Sequence, residues 1–183
     1  MVKTYSVMPD LGMKAKNFVL PSVDGELIAL EDIPKNKPLL VMFICNHCPF
    51  VLHIIEPLVE IAKKIQSQGV YVVAINSNDI EAYPEDGPDK MVVFAKKYQF
   101  SFPYVFDESQ HVAREYQAAC TPDFFLFDKE QKLFYRGQLD DSRPGNQSPT
   151  DGKDLLQAVQ DLLAAKKPPT QQKASIGCNI KWK

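Results

Sequence analysis

The stretch LLVMFICNHCPF, residues 39–50, decides the fold. Its first six residues form a continuous apolar run, which is typical of a central β-strand buried on both faces. Cys45 and Cys48 follow this run with two residues between them. From Pro49 to Gln66 apolar residues recur at helical spacing, and proline suits the first helical turn because its missing N–H costs nothing there. The sequence therefore predicts a strand, a Cys-x-x-Cys motif and a helix, in that order.

Strands and helices alternate along the rest of the chain, which favours an α/β fold. We expect a central mixed sheet flanked by helices on both faces, with an antiparallel hairpin at one side. The predicted strands are 26–30, 39–44, 70–75, 102–106, 124–127 and 133–136, and the predicted helices are 49–66, 89–98, 112–119 and 151–166.

Composition excludes several classes of protein. The 183 residues include 21 Lys and Arg against 23 Asp and Glu, so the formal net charge is −2. This balance provides no basic footprint for nucleic acid and no polybasic patch for a membrane. Because the chain has no glycine-rich phosphate-binding motif, no nucleotide, flavin or other cofactor is expected.

Cysteine usage and the N-terminal sequence bear on the compartment. The first sixteen residues have no apolar signal-peptide core, and the longest apolar run, 39–45, is far shorter than the roughly 20 residues of a membrane span. We therefore expect a cytoplasmic protein, in which thiols stay reduced. In that setting the closely spaced cysteines indicate redox catalysis or metal binding.

The Cys-x-x-Cys motif is the strongest functional signal. Residues three apart share a helix face, so the sulfurs of Cys45 and Cys48 can reach disulfide distance. We expect the helix N-terminus to favour a thiolate at Cys45. A protonated His47 would lower the pKa of Cys45 further, which predicts a comparatively oxidising couple.

A second signal is Thr121-Pro122, directly before a predicted strand, where proline is unusual unless its geometry is special. The order strand, Cys-x-x-Cys, helix and Thr-Pro before a hairpin resembles the thioredoxin superfamily. Residues 11–20, LGMKAKNFVL, followed by Asp24-Gly25, resemble the AhpC/TSA (redoxin) and TlpA-like branch. The segments CNHCPF, TPDFFLFD and IGCNIKW resemble a subgroup of that branch.

The resemblance implies a thioredoxin fold over a single domain, 1–183. It would carry an N-terminal β extension at 1–36 and a C-terminal tail at 167–183. The implied activity is thiol–disulfide oxidoreduction, with a protein disulfide or a thiol reductant as partner. No acidic residue lies in 39–44 to serve as the buried proton acceptor of thioredoxins.

The resemblance also implies roles for individual residues. Cys45 would be the exposed nucleophile and Cys48 the buried resolving thiol. Pro122 would be a cis-proline that leaves the backbone of Thr121 free to pair with an extended substrate. Asn46, between the cysteines, is predicted to contact substrate as well.

Two other functions stay open. In a thiol peroxidase Cys48 would attack peroxide, Cys45 or Cys178 would resolve it, and Arg136 would be the nearest candidate cation. Alternatively Cys45, Cys48 and a histidine would bind copper or zinc, since thiolates suit both metals. Against zinc, the chain has no second ligand pair at zinc-site spacing.

Two further expectations concern segments outside the motif. The apolar residues Ile176, Ile180 and Trp182 predict that the tail docks on the domain and buries Cys178. We expect two free thiols at Cys120 and Cys178 rather than a bond between them. The acidic stretch 81–89 is expected to be a solvated loop.

Overall fold

A five-stranded sheet forms the centre of the protein. The computed structural model describes residues 3–183. The strands of this sheet are β4 (Leu39–Phe43), β5 (Tyr71–Asn76), β6 (Tyr104–Phe106), β8 (Asp123–Phe127) and β9 (Leu133–Gly137). The strand order is β6-β5-β4-β8-β9; β4, β5 and β6 run parallel, whereas β8 and β9 are antiparallel to their neighbours. This mixed sheet confirms the predicted fold class.

Both faces of this sheet are covered. Leu40 and Met42 of β4 join the apolar cluster beneath three of the helices, whereas Val41 and Phe43 join a second cluster on the other face. Every residue of β4 is buried, which explains why its sequence is apolar without alternation. The helices are α1 (Pro49–Ser67), α2 (Pro88–Lys97), α3 (His111–Glu115) and α4 (Lys153–Leu163).

The two ends of the described chain form a smaller sheet. The tail strand β10 (Ile176–Asn179) lies between β1 (Lys3–Tyr5) and β7 (Cys120–Thr121) and is antiparallel to both. A separate hairpin joins β2 (Val19–Pro21) to β3 (Leu27–Ala29). Cys178 and Ile180 are buried, so the expectation that the tail docks is confirmed.

The structure refines several predicted boundaries. The helix predicted at 112–119 ends at Glu115, because Gln117 takes a left-handed conformation (φ 56°) that a helix does not continue through. Across residues 3–183, no helix combines the length and apolar character that a membrane span requires.

Candidate active site

The Cys-x-x-Cys motif occupies the turn between β4 and α1. Phe43 ends the strand, and Cys48 is the residue that caps the first turn of the helix. The backbone of Val51, in the first turn of the helix, lowers the pKa of Cys48. The positive end of α1 therefore acts on Cys48. This corrects the sequence-based expectation that the helix N-terminus would stabilise a thiolate at Cys45.

A third cysteine, Cys178, lies beside the motif, and we call Cys45, Cys48 and Cys178 together the sulfur cluster. The Sγ atom of Cys178, on the tail strand, lies 2.9 Å from the Sγ atom of Cys48. Cys178 is directly opposite Thr121 in the β10–β7 register. The carbonyl oxygen of Thr121 is 3.2 Å from the Cys48 sulfur. Cys48 is thus enclosed between the tail strand and the segment before Pro122.

The Cys48 sulfur has partners in both protonation states. As a thiol it donates to the Thr121 carbonyl. As a thiolate it accepts a hydrogen bond from Cys178, and this contact, together with Cys45 and the backbone of Val51, holds the pKa of Cys48 far below its usual range. The site therefore favours a negative charge on Cys48.

The surroundings of Cys45, in contrast, disfavour a negative charge on its sulfur. The neighbouring Cys48, burial and the negative charge of Asp86 raise the pKa of Cys45 well above its usual value. The hydroxyl oxygen of Thr121, 3.4 Å from the Cys45 sulfur, opposes this only weakly. The predicted low pKa of Cys45 is therefore wrong for the reduced protein.

His47 is paired with a buried carboxylate. Its Nδ1 atom lies 2.7 Å from Oδ2 of Asp86, and its ring stacks on Tyr83 at 5.4 Å between centroids. Asp86 is fully buried, although the sequence placed it in a solvated acidic loop. This contact with Asp86 raises the pKa of His47. The carboxylate also neutralises the imidazolium, so His47 does not supply Cys45 with the uncompensated positive charge that the sequence suggested.

Asp86 organises the loop that carries the motif. Its carboxylate accepts hydrogen bonds from the backbone N–H of Asn46 at 2.8 Å and from Nδ2 of Asn78 at 2.7 Å. The Asn46 side chain donates to the carbonyl of Glu85 at 2.9 Å and accepts from the hydroxyl of buried Tyr104 at 2.9 Å. These contacts give Asn46 a positioning role; its predicted contact with substrate stays a prediction.

The Thr121–Pro122 peptide bond is cis, as the resemblance implies. The edge of β7 is not free, however, because Cys178 and Asn179 of the tail pair with Thr121 and Cys120. The expectation that this backbone is open to an extended substrate is corrected: the chain's own C-terminal strand occupies it.

The remaining cysteine lies apart from the sulfur cluster. Cys120 is fully buried, its sulfur is 3.7 Å from the carbonyl oxygen of Pro122, and burial raises its pKa. Across residues 3–183 no disulfide bond is present. The sulfur that faces Cys178 belongs to Cys48 and not to Cys120.

One group of side chains has the donor atoms of a metal site. The Sγ of Cys45, a ring nitrogen of His47 and a carboxylate oxygen of Asp86 all lie within 4.8 Å of one another. Both Asp86 oxygens are already engaged, by Asn46, Asn78 and His47. A metal would have to displace those contacts, which weakens the metal-binding alternative.

Sequence reasoning missed two buried carboxyl groups. Asp86 stood in a stretch rich in Glu, Pro and Gly, and its partner His47 is 39 positions away, so only tertiary structure reveals the pair. Asp123, next to Pro122, is fully buried, and burial raises its pKa to about 7. Its position in an otherwise apolar strand, DFFLF, was the available signal.

Comparison with known proteins agrees with this geometry. The profile of the AhpC/TSA family matches residues 11–136. The chain belongs to the AhpC/TSA family. A curated relative, the thiol-disulfide oxidoreductase ResA of Bacillus subtilis (strain 168), is 32% identical over 124 residues. That alignment covers 67% of this chain and 64% of ResA.

Solved structures extend the similarity of this AhpC/TSA family member to its whole length. An uncharacterized conserved protein from Geobacillus kaustophilus is 49% identical, with a TM-score of 0.97 and coverage of 100% of this chain and 97% of that one. A putative thiol:disulfide interchange protein DsbE from Chlorobium tepidum has a TM-score of 0.66 at 24% identity, over 84% of this chain and 98% of its own. The latter similarity establishes the thioredoxin-like fold.

Proposed function

We propose that this AhpC/TSA family member is a thiol–disulfide oxidoreductase that cycles between a Cys45–Cys48 dithiol and disulfide. The observation that carries the proposal is that both sulfurs lie against Thr121, with Cys45 Sγ 3.4 Å from its hydroxyl oxygen and Cys48 Sγ 3.2 Å from its carbonyl oxygen. Two sulfurs held against one residue, in a Cys-x-x-Cys motif that stabilises a charge on one of them, are placed to form a disulfide.

The reaction begins with the attack of Cys45 on a disulfide of a partner protein. As Cys45 attacks, its proton passes to the neighbouring Cys48 thiolate, and the partner's leaving sulfur takes up a proton from solvent. Cys48 then releases its proton and attacks the mixed disulfide at Cys45. The partner leaves with two thiols, and the enzyme keeps the Cys45–Cys48 disulfide. An external thiol reductant restores the dithiol.

The division of labour between the cysteines is supported by their surroundings. Cys48 contacts Cys178 and Thr121 and is the residue that caps α1, which leaves it enclosed and suited to attack the mixed disulfide from within the protein. Cys45 is only 1% exposed, which corrects the expectation of an exposed nucleophile. A partner must therefore shift neighbouring groups to reach Cys45, and strand addition at β7 would require displacement of β10.

Reduction of insulin by dithiothreitol tests the activity. Cys45→Ser is expected to abolish catalysis, whereas Cys120→Ser, the matched control outside the cluster, should retain it. In the Cys48→Ser, Cys178→Ser double variant no adjacent thiol remains to resolve the intermediate, so mixed disulfides through Cys45 should accumulate. Full activity in Cys45→Ser would refute the proposal.

The thiol-peroxidase alternative finds less support. The guanidinium of Arg136 donates to the carbonyl of Pro9 at 2.7 Å and to the side chain of Gln172 at 2.8 Å. Arg136 is thus engaged away from the sulfur cluster and does not provide the cation expected beside Cys48. Stopped-flow reaction of the reduced protein with hydrogen peroxide should show no rate beyond that of a free thiol.

The cytoplasmic location stays a prediction.

A further inference from the structure

We propose that Cys178 is a third redox-active cysteine, which exchanges with Cys45 for a disulfide bond to Cys48. The inference rests on the proposed oxidoreductase function and extends it from two sulfurs to three. The protein would then hold its oxidised state as either of two bonds, Cys45–Cys48 or Cys48–Cys178.

The distance between sulfurs carries the argument. The Sγ atoms of Cys48 and Cys178 are 2.9 Å apart, and Cys48 is also the partner of Cys45 in the proposed catalytic disulfide. A disulfide bond is about 2.05 Å long, so the Cys48–Cys178 pair must close by only about 0.9 Å. Cys48 is the common member of both pairs, as an exchange reaction requires.

The fold holds Cys178 in this place from both sides. It pairs with Lys3 of β1 on one side and with Thr121 of β7 on the other. The preceding residue, Gly177, approaches the segment before Pro122 so closely that a Cβ atom there would lie 2.0 Å from the carbonyl oxygen of Thr121. Only glycine permits this approach, and the approach sets Cys178 against Cys48.

The N-terminal end of α1 influences both sulfurs of the proposed Cys48–Cys178 bond. The backbone of Val51 lowers the pKa of Cys48. The contact with Cys48 and burial raise the pKa of Cys178 well above its usual value, and Lys181 and the backbone of Phe50 offset this only in part. In the Cys45–Cys48 disulfide Cys48 carries no negative charge, so the largest cause of that rise is absent when Cys178 attacks.

The exchange step is balanced without an external oxidant. Cys178 gives up its proton and attacks the Cys48 sulfur of the Cys45–Cys48 disulfide. The Cys48–Cys178 bond forms while the Cys45–Cys48 bond breaks, and Cys45 leaves with the electron pair and takes a proton. The protein stays oxidised by two electrons throughout. The exchange therefore returns Cys45 to a thiol and leaves the disulfide between the two buried residues Cys48 and Cys178.

Tryptic peptides distinguish the two bonds. Cys45 and Cys48 share peptide 36–63, Cys120 lies in 115–129, and Cys178 lies in 174–181. A Cys45–Cys48 bond therefore closes a loop within one peptide, whereas a Cys48–Cys178 bond links two. The native protein is equilibrated in an oxidising glutathione buffer, quenched with acid, alkylated with N-ethylmaleimide, unfolded and digested without reduction.

We expect the linked pair 36–63 and 174–181 to dominate in Cys45→Ser and to appear beside the internal loop in the unsubstituted protein. Cys48→Ser should lose the link, and Cys120→Ser should keep it. In urea the link in Cys45→Ser should give way to mixed pairings that include Cys120. Reduced Cys48 and Cys178, or glutathione adducts alone, in folded Cys45→Ser would overturn the inference.

Insulin reduction separates this inference from the proposed function. If the unsubstituted protein reduces insulin but folded Cys45→Ser forms no link, only the role of Cys178 fails. If the link forms but insulin is not reduced, the oxidoreductase proposal fails. Far-ultraviolet circular dichroism confirms that each variant is folded, and Cys178→Ala provides a second variant should Cys178→Ser not fold.

Discussion

The imidazole of His47 and the carboxylate of Asp86 form an ion pair of 2.7 Å in which the carboxylate is fully buried. The pair fixes His47, one of the two residues between the cysteines, to the loop after β5. It also places a negative charge near Cys45, where it raises the pKa of that thiol. The same carboxylate thus positions the motif and restrains the reactivity of its first cysteine.

Replacement of Asp86 by Asn should lower the pKa of His47, because the hydrogen bond to Asp86 is the largest cause of its elevation. A raised histidine pKa stabilises the fold below pH 6.5, the unfolded value, and this contribution disappears as the pH rises through the folded pKa. Asp86→Asn should therefore cost about 2 kcal/mol at pH 5.5 and less at high pH.

Nuclear magnetic resonance titration of His47 and urea unfolding at several pH values measure both effects. Glu85→Gln is the matched control, since Glu85 is exposed and adds only a long-range charge to His47. An unchanged His47 pKa in Asp86→Asn would show that the ion pair does not form.

Asp123 should make the protein less stable as the pH rises from about 4 to about 7. Its pKa is about 7 in the folded protein against 3.8 for an ordinary aspartate, chiefly because burial disfavours the charged form. In this window the folded protein binds more protons than the unfolded chain, so the free energy of unfolding falls with pH. A shift of about 3 units corresponds to about 4 kcal/mol.

The difference in stability between Asp123→Asn and the unsubstituted protein tests this. Relative to the unsubstituted protein, Asp123→Asn should become more stable from pH 4 to 6.5. This range lies below the pH at which the contribution of His47 to stability is lost. Exposed Asp10→Asn removes the same charge without burial and should show no such trend. A difference that is constant with pH would contradict the raised pKa of Asp123.

The apolar run and the Cys-x-x-Cys spacing predicted the central strand, the helix and the cysteine pair because these features depend on local sequence. The environment of the cysteines could not be predicted in this way. The pKa of Cys45 depends on Asp86, and that of Cys48 depends on Cys178, 130 positions further along the chain. The tail's apolar spacing indicated docking, but the partner of Cys178 follows only from strand register.

The last prediction concerns Gly177, which brings the tail strand against the segment before Pro122. In Gly177→Ala the new Cβ would lie 2.0 Å from the oxygen and 2.5 Å from the carbon of the Thr121 carbonyl. Backbone atoms cannot give way as a side chain would, so β10 must move outward. Overpacking of this kind typically costs about 1–3 kcal/mol, and here the displacement should also separate Cys178 from Cys48.

The single tryptophan of the chain, Trp182, reports on this movement because the guanidinium of Arg114 lies 4.4 Å from its ring centroid. We expect altered Trp182 fluorescence and faster alkylation of Cys48 in Gly177→Ala. Gln171→Ala, an exposed change earlier in the tail, should alter neither. Because the displaced strand also uncovers β7, access of a partner disulfide to Cys45 should increase and insulin reduction should accelerate. Unchanged fluorescence and alkylation would mean that the tail strand does not hold Cys178 against Cys48.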